Sequence, residues 1–235
     1  MIVYGKNVAR EIIDNKRKID KAYLYEDLDD KILISDLQKM NVNIEYKTRR
    51  ELDRLATGLH QGIILSIPDY KFYELNDLIN ECQELPFIVI LDHLEDPHNL
   101  GAIIRTCEAA GVDGIIIPKD RSVDVNSTVM KVSAGALDNI KLCSVTNLVS
   151  AIKKLKEKGF WLVGTKMNAK ETYADLKYDM PLCLVIGNEG SGISRLVSEE
   201  CDYMVSIPMY GKINSLNASV AAGVIIYEVL EKRGK

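Results

Sequence analysis

From Phe87 onward the chain carries six short apolar runs, FIVILD, DGIIIP, IKLCSV, FWLVGT, LCLVIG and DYMVSI, separated by stretches with helical patterning. The runs are continuously apolar rather than alternating. That is the pattern of parallel strands covered by helices on both faces. The helix candidates begin near Asn99, Asn126, Thr146, Ile193 and Ser215. An α/β fold with a mostly parallel sheet follows. Ligands of such sheets sit at the carboxyl ends of the strands, which directs attention to the loops after Asp92, Thr165, Ile186 and Ile207.

The first part of the chain is patterned differently. Val8, Ile12 and Ile13 share a helical face in NVAREIID, the strand candidate AYLYE follows, and Ile34, Leu37 and Met40 mark an amphipathic helix. NIEYK and GIILSI read as further strands, the second ending at Pro68. A polar stretch from Pro68 to Pro86 contains the helix candidate ELNDLINECQ. The expected division is a small α/β domain over residues 1–70, a linker over 71–85 and a larger α/β domain over 86–235.

Composition narrows the setting. With 47% hydrophobic residues and a net charge of −4 over 235 residues, the chain is neither disordered nor strongly charged. Its longest apolar stretches, such as Phe87 to Leu91 and Leu182 to Ile186, are too short to span a bilayer. The start, MIVYGKNVAR, lacks a basic segment followed by a long apolar one, so no secretory signal is expected. Five cysteines without a C-x-x-C pair suit reduced thiols in the cytoplasm. His60, His93 and His98 lack the spacing of metal ligands, and no metal is expected.

Three loops carry unusual chemistry. In LDHLEDPHNLGAIIRTCEAAG, Asn99 can cap the following helix, Gly101 permits close backbone approach, and Arg105 lies six residues on. Read alone, Asn99 is an N-cap and Arg105 a solvated charge. In LVIGNEGSGIS a glycine-rich turn joins strand to helix, but Glu189 would repel a pyrophosphate and the glycine spacing is not the dinucleotide fingerprint. A neutral or cationic ligand, or an arginine, suits that carboxylate better. In IPMYGKINSLNASVAAGVIIYEVL, Ser215 and Asn217 open a helix rich in small residues, suited to close packing and plausibly to a subunit interface.

Taken in order, DPHNLGAIIRT, IGNEGSGIS and IPMYGKINSLNASVA resemble the three signatures of the SpoU/TrmH family of RNA ribose 2′-O-methyltransferases. GKNVAREII and HQGI, at His60 to Ile63, resemble that family's ribosomal-L30e-like substrate-binding extension. Cys107 and Ala218 depart from the Ala and Val of the pattern, both within helix candidates. The resemblance implies a sheet tied in a deep C-terminal trefoil knot, an exception to the rule that chains do not thread loops. It implies S-adenosylmethionine (AdoMet) as cofactor, with backbone contacts from Gly187, Ile207 and Leu216, and with Thr165 and Met209 lining the same pocket. It implies that Arg105 handles the ribose proton, that Asn99 and Glu189 orient Arg105 and the ribose, and that Ser215 and Asn217 hold the flanking phosphate and the loop. A guanidinium is normally a donor only. Two roles for Arg105 stay open: a transiently neutral base, or a cation stabilising the forming alkoxide. A homodimer is implied as well.

The extension and the short C-terminus resemble the branch that methylates a guanosine ribose in 23S rRNA, with a tRNA guanosine as the alternative. A non-catalytic RNA-binding protein could dispense with the arginine and the cofactor loops. A nicotinamide-dependent oxidoreductase needs a glycine fingerprint where HLEDPHNLG stands. Residues 1–85 hold 13 Lys+Arg against 16 Asp+Glu, so RNA binding must rest on local clusters. The candidates are Lys16, Arg17, Lys18 and Lys21, and Lys47, Arg49, Arg50 and Arg54.

Overall fold

A computed structural model, describing residues 1–56 and 58–235, arranges the strands in two sheets. The first part contains β1 (Ile2–Tyr4), α1 (Lys6–Asp14), β2 (Lys21–Tyr25), α2 (Lys31–Lys39), β3 (Ile44–Lys47), α3 (Arg49–Leu55) and β4 (Ile63–Ser66), followed by α4 (Leu75–Asn80). Its mixed sheet has the order β1-β4-β2-β3, with only β2 and β3 parallel. Two of these elements escape sequence patterning. β1 has three residues, too few to show alternation, and α3 (RRELDRL) is mostly charged. A reciprocal capping box between Thr48 and Glu51 supports α3, whose Leu52 is fully buried.

The second part runs β5 (Phe87–Asp92), α5 (Pro97–Ala109), β6 (Gly114–Pro118), α6 (Ser127–Ser133), β7 (Lys141–Val145), α7 (Leu148–Glu157), β8 (Trp161–Thr165), β9 (Glu171–Thr172), β10 (Leu182–Gly187), α8 (Arg195–Glu200), β11 (Tyr203–Ser206) and α9 (Ala218–Lys232). All pairings in its seven-stranded sheet are parallel, in the order β7-β6-β5-β10-β8-β11-β9. Every residue of β5 is buried. Strand alternation divides those residues between two cores. Val89 and Leu91 pack with Leu100, Ile103 and Ile226 on one face, and Ile88 and Ile90 with Ile152, Leu155 and Val197 on the other. Each such side chain contributes about 1.5–3 kcal/mol by burial.

The stretch expected as a linker is packed against this sheet. Tyr73 donates its backbone N–H to Leu142 O, and Leu78 of α4 is fully buried in the second core. The two parts also meet at Asp138, which accepts from Arg17 Nε at 3.0 Å and Asn15 Nδ2 at 2.7 Å. This accounts for part of the first basic cluster: Arg17 holds the parts together instead of facing solvent freely. Lys21 and Lys47 both pair with Glu45, at 2.5 and 2.6 Å, and hydrogen bonds from Lys21 and then Lys47 draw that carboxyl down to about 2. Arg49, Arg50 and Arg54 on α3 remain exposed.

Four helices start two or three residues from the expected positions, α7 at Leu148 and α8 at Arg195 among them, and the starts of α5 and α9 bear on the site. α5 begins at Pro97, capped by Asp96, whose Oδ1 accepts from His98 N at 2.8 Å. Proline suits the first helical position because its missing N–H would be unpaired there. α9 begins at Ala218, capped by Asn217, which leaves Ser215 two residues outside the cap. Both shifts matter below, since the first releases Asn99 from capping. Gly101 brings α5 against α6: a Cβ there would lie 2.7 Å from Val132 Cβ.

The C-terminal end of α9 is clamped by Arg233. Its guanidinium donates to Tyr178 O at 2.9 Å, Leu85 O at 2.9 Å and Met180 O at 2.8 Å, and lies over the Phe87 ring. One planar fork thereby joins α9 to the segments entering β5 and β10. Arg233→Ala is expected to lower unfolding free energy by about 2–3 kcal/mol, and Arg233→Lys to recover only part of it. Urea titration checks this; an unchanged midpoint in the alanine variant would refute the clamp.

Candidate active site

Parallel pairing brings four strand ends side by side. Asp92 of β5 pairs with Gly187 of β10, Val185 of β10 with Gly164 of β8, and Thr165 of β8 with Val205 of β11. The loops that follow, 93–96, 166–170, 188–194 and 207–217, therefore leave the sheet at one edge.

The loop after β10 is heavily braced. Asn188 exchanges backbone hydrogen bonds with Gly192, and its Oδ1 accepts from Gly190 N at 2.8 Å. Its Nδ2 donates to His93 O at 2.9 Å, tying this loop to the one after β5. Beneath it the fully buried Asp92 accepts from Ser194 N at 2.6 Å and pairs with His93 Nδ1 at 2.5 Å. Gly187 has no space for a side chain, because a Cβ would lie 2.3 Å from Ile193 N. Sequence reasoning did not single out Asn188, Asp92 or His93 as positioning residues. The available signal was Asp92, a carboxylate ending a wholly apolar strand, which burial obliges to find donors.

Across this edge runs a chain of side-chain amides. Asn217 Oδ1 accepts from Ser219 N at 2.9 Å and from Val220 N at 3.4 Å, capping α9. With its oxygen so engaged, the Asn217 amide nitrogen donates to Asn99 Oδ1 at 2.8 Å. The Asn99 nitrogen in turn donates to Glu189 Oε1. Each link fixes the orientation of the next, so Glu189 must act as acceptor. Asn99 itself is only 5% exposed. The relay joins residues from all three signature loops.

The remaining expected residues lie around this relay in different ways. Arg105 is exposed and, among the described residues, makes no hydrogen bond or ion pair. It stands six residues, about 9 Å of helix rise, from Asn99. Asn99 and Glu189 bind each other, Asn99 also binds Asn217, and neither Asn99 nor Glu189 is hydrogen-bonded to Arg105. Ser215 is exposed on the loop before α9. Thr165, at the end of β8, donates its hydroxyl to Val185 O at 3.2 Å. Ile207 immediately follows β11, and Met209 lies two residues on; Thr165, Gly187, Ile207 and Met209 are all half-buried, while Leu216 is 37% exposed. Thr165, Gly187 and Ile207 mark the ends of three neighbouring strands. None of these five residues is charged, which suits a ligand with an apolar part and no phosphate.

Other chemistries find less support. Burial raises the Cys143 thiol to about 11 and the Cys201 thiol to about 12, which disfavours the nucleophilic thiolate. Among the described residues there is no group of three or more His, Cys, Asp or Glu able to hold a metal ion, and no helix long and apolar enough to cross a membrane.

The relay makes a direct prediction. Asn99→Asp replaces the central donor with an acceptor facing Glu189, leaving two carboxyls in contact. Repulsion raises the proton affinity of that pair in the folded state, so the lost stability returns as pH falls. The expected deficit is about 1–3 kcal/mol at pH 7, shrinking by pH 5 in urea titrations. An equal deficit at both pH values would contradict the relay.

Comparison with known proteins identifies the family. A profile described as the SpoU rRNA Methylase family matches residues 86–227, and one described as RNA 2′-O ribose methyltransferase substrate binding matches residues 2–73. The YacO protein of Bacillus subtilis (strain 168), named for the TrmH family of tRNA/rRNA methyltransferases, is 45% identical over 237 residues, covering 98% of this chain and 95% of that one. A solved AdoMet-bound rRNA methyltransferase from Sinorhizobium meliloti aligns with a TM-score of 0.78 and 22% identity, covering 98% of this chain and 86% of that one; this is a likeness of fold. The TrmH/SpoU tRNA modifying enzyme of A. aeolicus aligns with a TM-score of 0.57 and 30% identity, covering 68% of this chain and 81% of that one. The chain belongs to the SpoU/TrmH family of RNA methyltransferases.

Proposed function

We propose that the protein methylates a ribose 2′-hydroxyl of RNA using AdoMet, with a guanosine of 23S rRNA as the target. The observation that carries this reading is the Asn217–Asn99–Glu189 relay, which draws the three signature loops to the strand ends. AdoMet suits the uncharged positions Thr165, Gly187, Ile207, Met209 and Leu216, and the S. meliloti neighbour was solved with that cofactor. When bound, AdoMet would supply an electrophilic methyl group on a sulfonium, with a neutral thioether as the leaving group. The new bond joins that carbon to the ribose 2′-oxygen, and the hydroxyl proton must leave.

Arg105 acts in this reading as a donor. It holds the developing negative charge on the 2′-oxygen, while a phosphate oxygen or water takes the proton. Glu189 and Asn99 orient Arg105 and the ribose, Asn217 fixes the start of α9, and Ser215 meets the flanking phosphate. These groups supply alignment, which is the protein's share when the cofactor carries the reactive carbon.

Four further features belong to the same proposal. Residues 1–70 form an L30e-like domain that binds the RNA, 71–85 connect it, and 86–235 catalyse. The insertion of β10 between β5 and β8 supports a C-terminal trefoil knot. Val220 and Tyr227 on α9, 50% and 54% exposed, support a homodimer packed on that helix. Five free cysteines suit a cytoplasmic enzyme.

A 23S rRNA target is favoured over tRNA by the reach of the alignments. The rRNA methyltransferase neighbour spans both parts of the chain, whereas the tRNA modifying enzyme spans 68% of it. Arg105→Ala is expected to reduce methyl transfer by about 10²–10³-fold with AdoMet affinity in calorimetry unchanged. Turnover at the wild-type rate would remove Arg105 from the chemistry.

A further inference from the structure

Arg105 also borders a second feature. A cleft of about 510 Å³ separates α5 from α1, walled by Arg105 on one side and by Asn7 and Glu11 on the other, with Gly135 and Asn139 between them. Ligand pockets commonly fall between about 300 and 1,000 Å³, and this cleft is within that range. The cleft lies between the two parts of the chain, whose relative position is held by the contacts of Asp138 with Arg17 and Asn15.

Its walls are polar. Asn7 and Glu11 are four residues apart on α1, and therefore share one face. Glu11 lies against Gly135, where an added Cβ would sit 3.7 Å from Glu11 Cγ. The carboxyl is half-buried, and desolvation raises its proton affinity despite the Gly135 backbone hydrogen bond that opposes this. Unlike Arg17, Asp138 or Arg10, which pair with other side chains, Glu11 has no side-chain partner among the described residues. A partly desolvated acceptor without a strong donor is suited to a ligand that brings two.

We propose that Glu11 reads the target base, accepting N1–H and N2–H from the Watson–Crick edge of a guanosine splayed into the cleft, while Arg105 engages its ribose or phosphate. Guanine alone among the four bases presents two adjacent N–H donors on that edge, matching the two oxygens of a carboxylate. Single-stranded RNA bases are commonly read in this way once unstacked. The proposal rests on the methyltransferase reading above, and assigns to α1 of the first domain a share in choosing the nucleotide.

The test uses a synthetic fragment of the RNA that the wild-type protein labels, with the target guanosine unchanged or replaced by inosine, which lacks the 2-amino group. Wild-type kcat/KM is expected to fall at least tenfold on inosine. In Glu11→Gln the preference for guanosine over inosine should shrink to about unity, since the amide puts an NH2 donor where the second carboxylate oxygen would face a base N–H. A specificity ratio is unaffected by a general loss of folded protein, and Glu11→Asp, which keeps the charge on a shorter arm, should retain part of the preference. Full retention of the guanosine preference in Glu11→Gln would overturn the role of Glu11 while leaving the enzyme assignment standing. Failure of the wild-type protein to methylate any RNA would overturn both.

Discussion

The carboxamide of Asn99 joins loops that are 90 and 118 residues away in sequence, through Glu189 on one side and Asn217 on the other. Its geometry depends on the parallel sheet, which sets the ends of β5 and β10 beside each other, and on α5, which starts early enough to leave the amide free. Had Asn99 capped its helix, its oxygen would be committed to backbone N–H groups and the relay would lose its centre. Asp96 performs the capping instead. The candidate site is therefore held by polar contacts that stand on an apolar scaffold.

The scaffold was legible because parallel strands buried on both faces leave a strong signature. All six runs from FIVILD to DYMVSI became strands of one sheet. Short or polar elements were not legible. β1 is defined by its pairing with β4, and α3 by a capping box and one buried leucine, neither of which is a periodic signal. The boundary errors at α5 and α9 have one cause. Each site offers more than one polar residue able to cap, and only tertiary contacts decide which does. The signature loops pointed to Asn99, Glu189 and Asn217. The bracing by Asp92, His93 and Asn188 requires knowledge of which strand ends are neighbours, and sequence separation conceals that.

Charge illustrates the same distinction of scale. A net charge of −4 excludes only indiscriminate attraction to a polyanion. Locally, Arg17 is engaged by Asp138, and Lys21 and Lys47 by Glu45, while Lys16, Lys18 and the α3 arginines of the two clusters stay exposed, as does Arg105. Recognition of this kind depends on shape and on a few placed charges, with correspondingly modest sensitivity to salt. The cleft between α1 and α5 fits that logic, since it couples the orientation of the first domain to the arginine of the second.

The central claim is that this arrangement delivers a methyl group to a ribose oxygen of RNA. Incubating the purified protein with methyl-labelled AdoMet and unmodified 23S rRNA or tRNA, then mapping the label by nuclease digestion and mass spectrometry, tests it most directly. The account predicts label on the 2′-oxygen of a guanosine in 23S rRNA. Label on a base, or on no RNA at all, would contradict it.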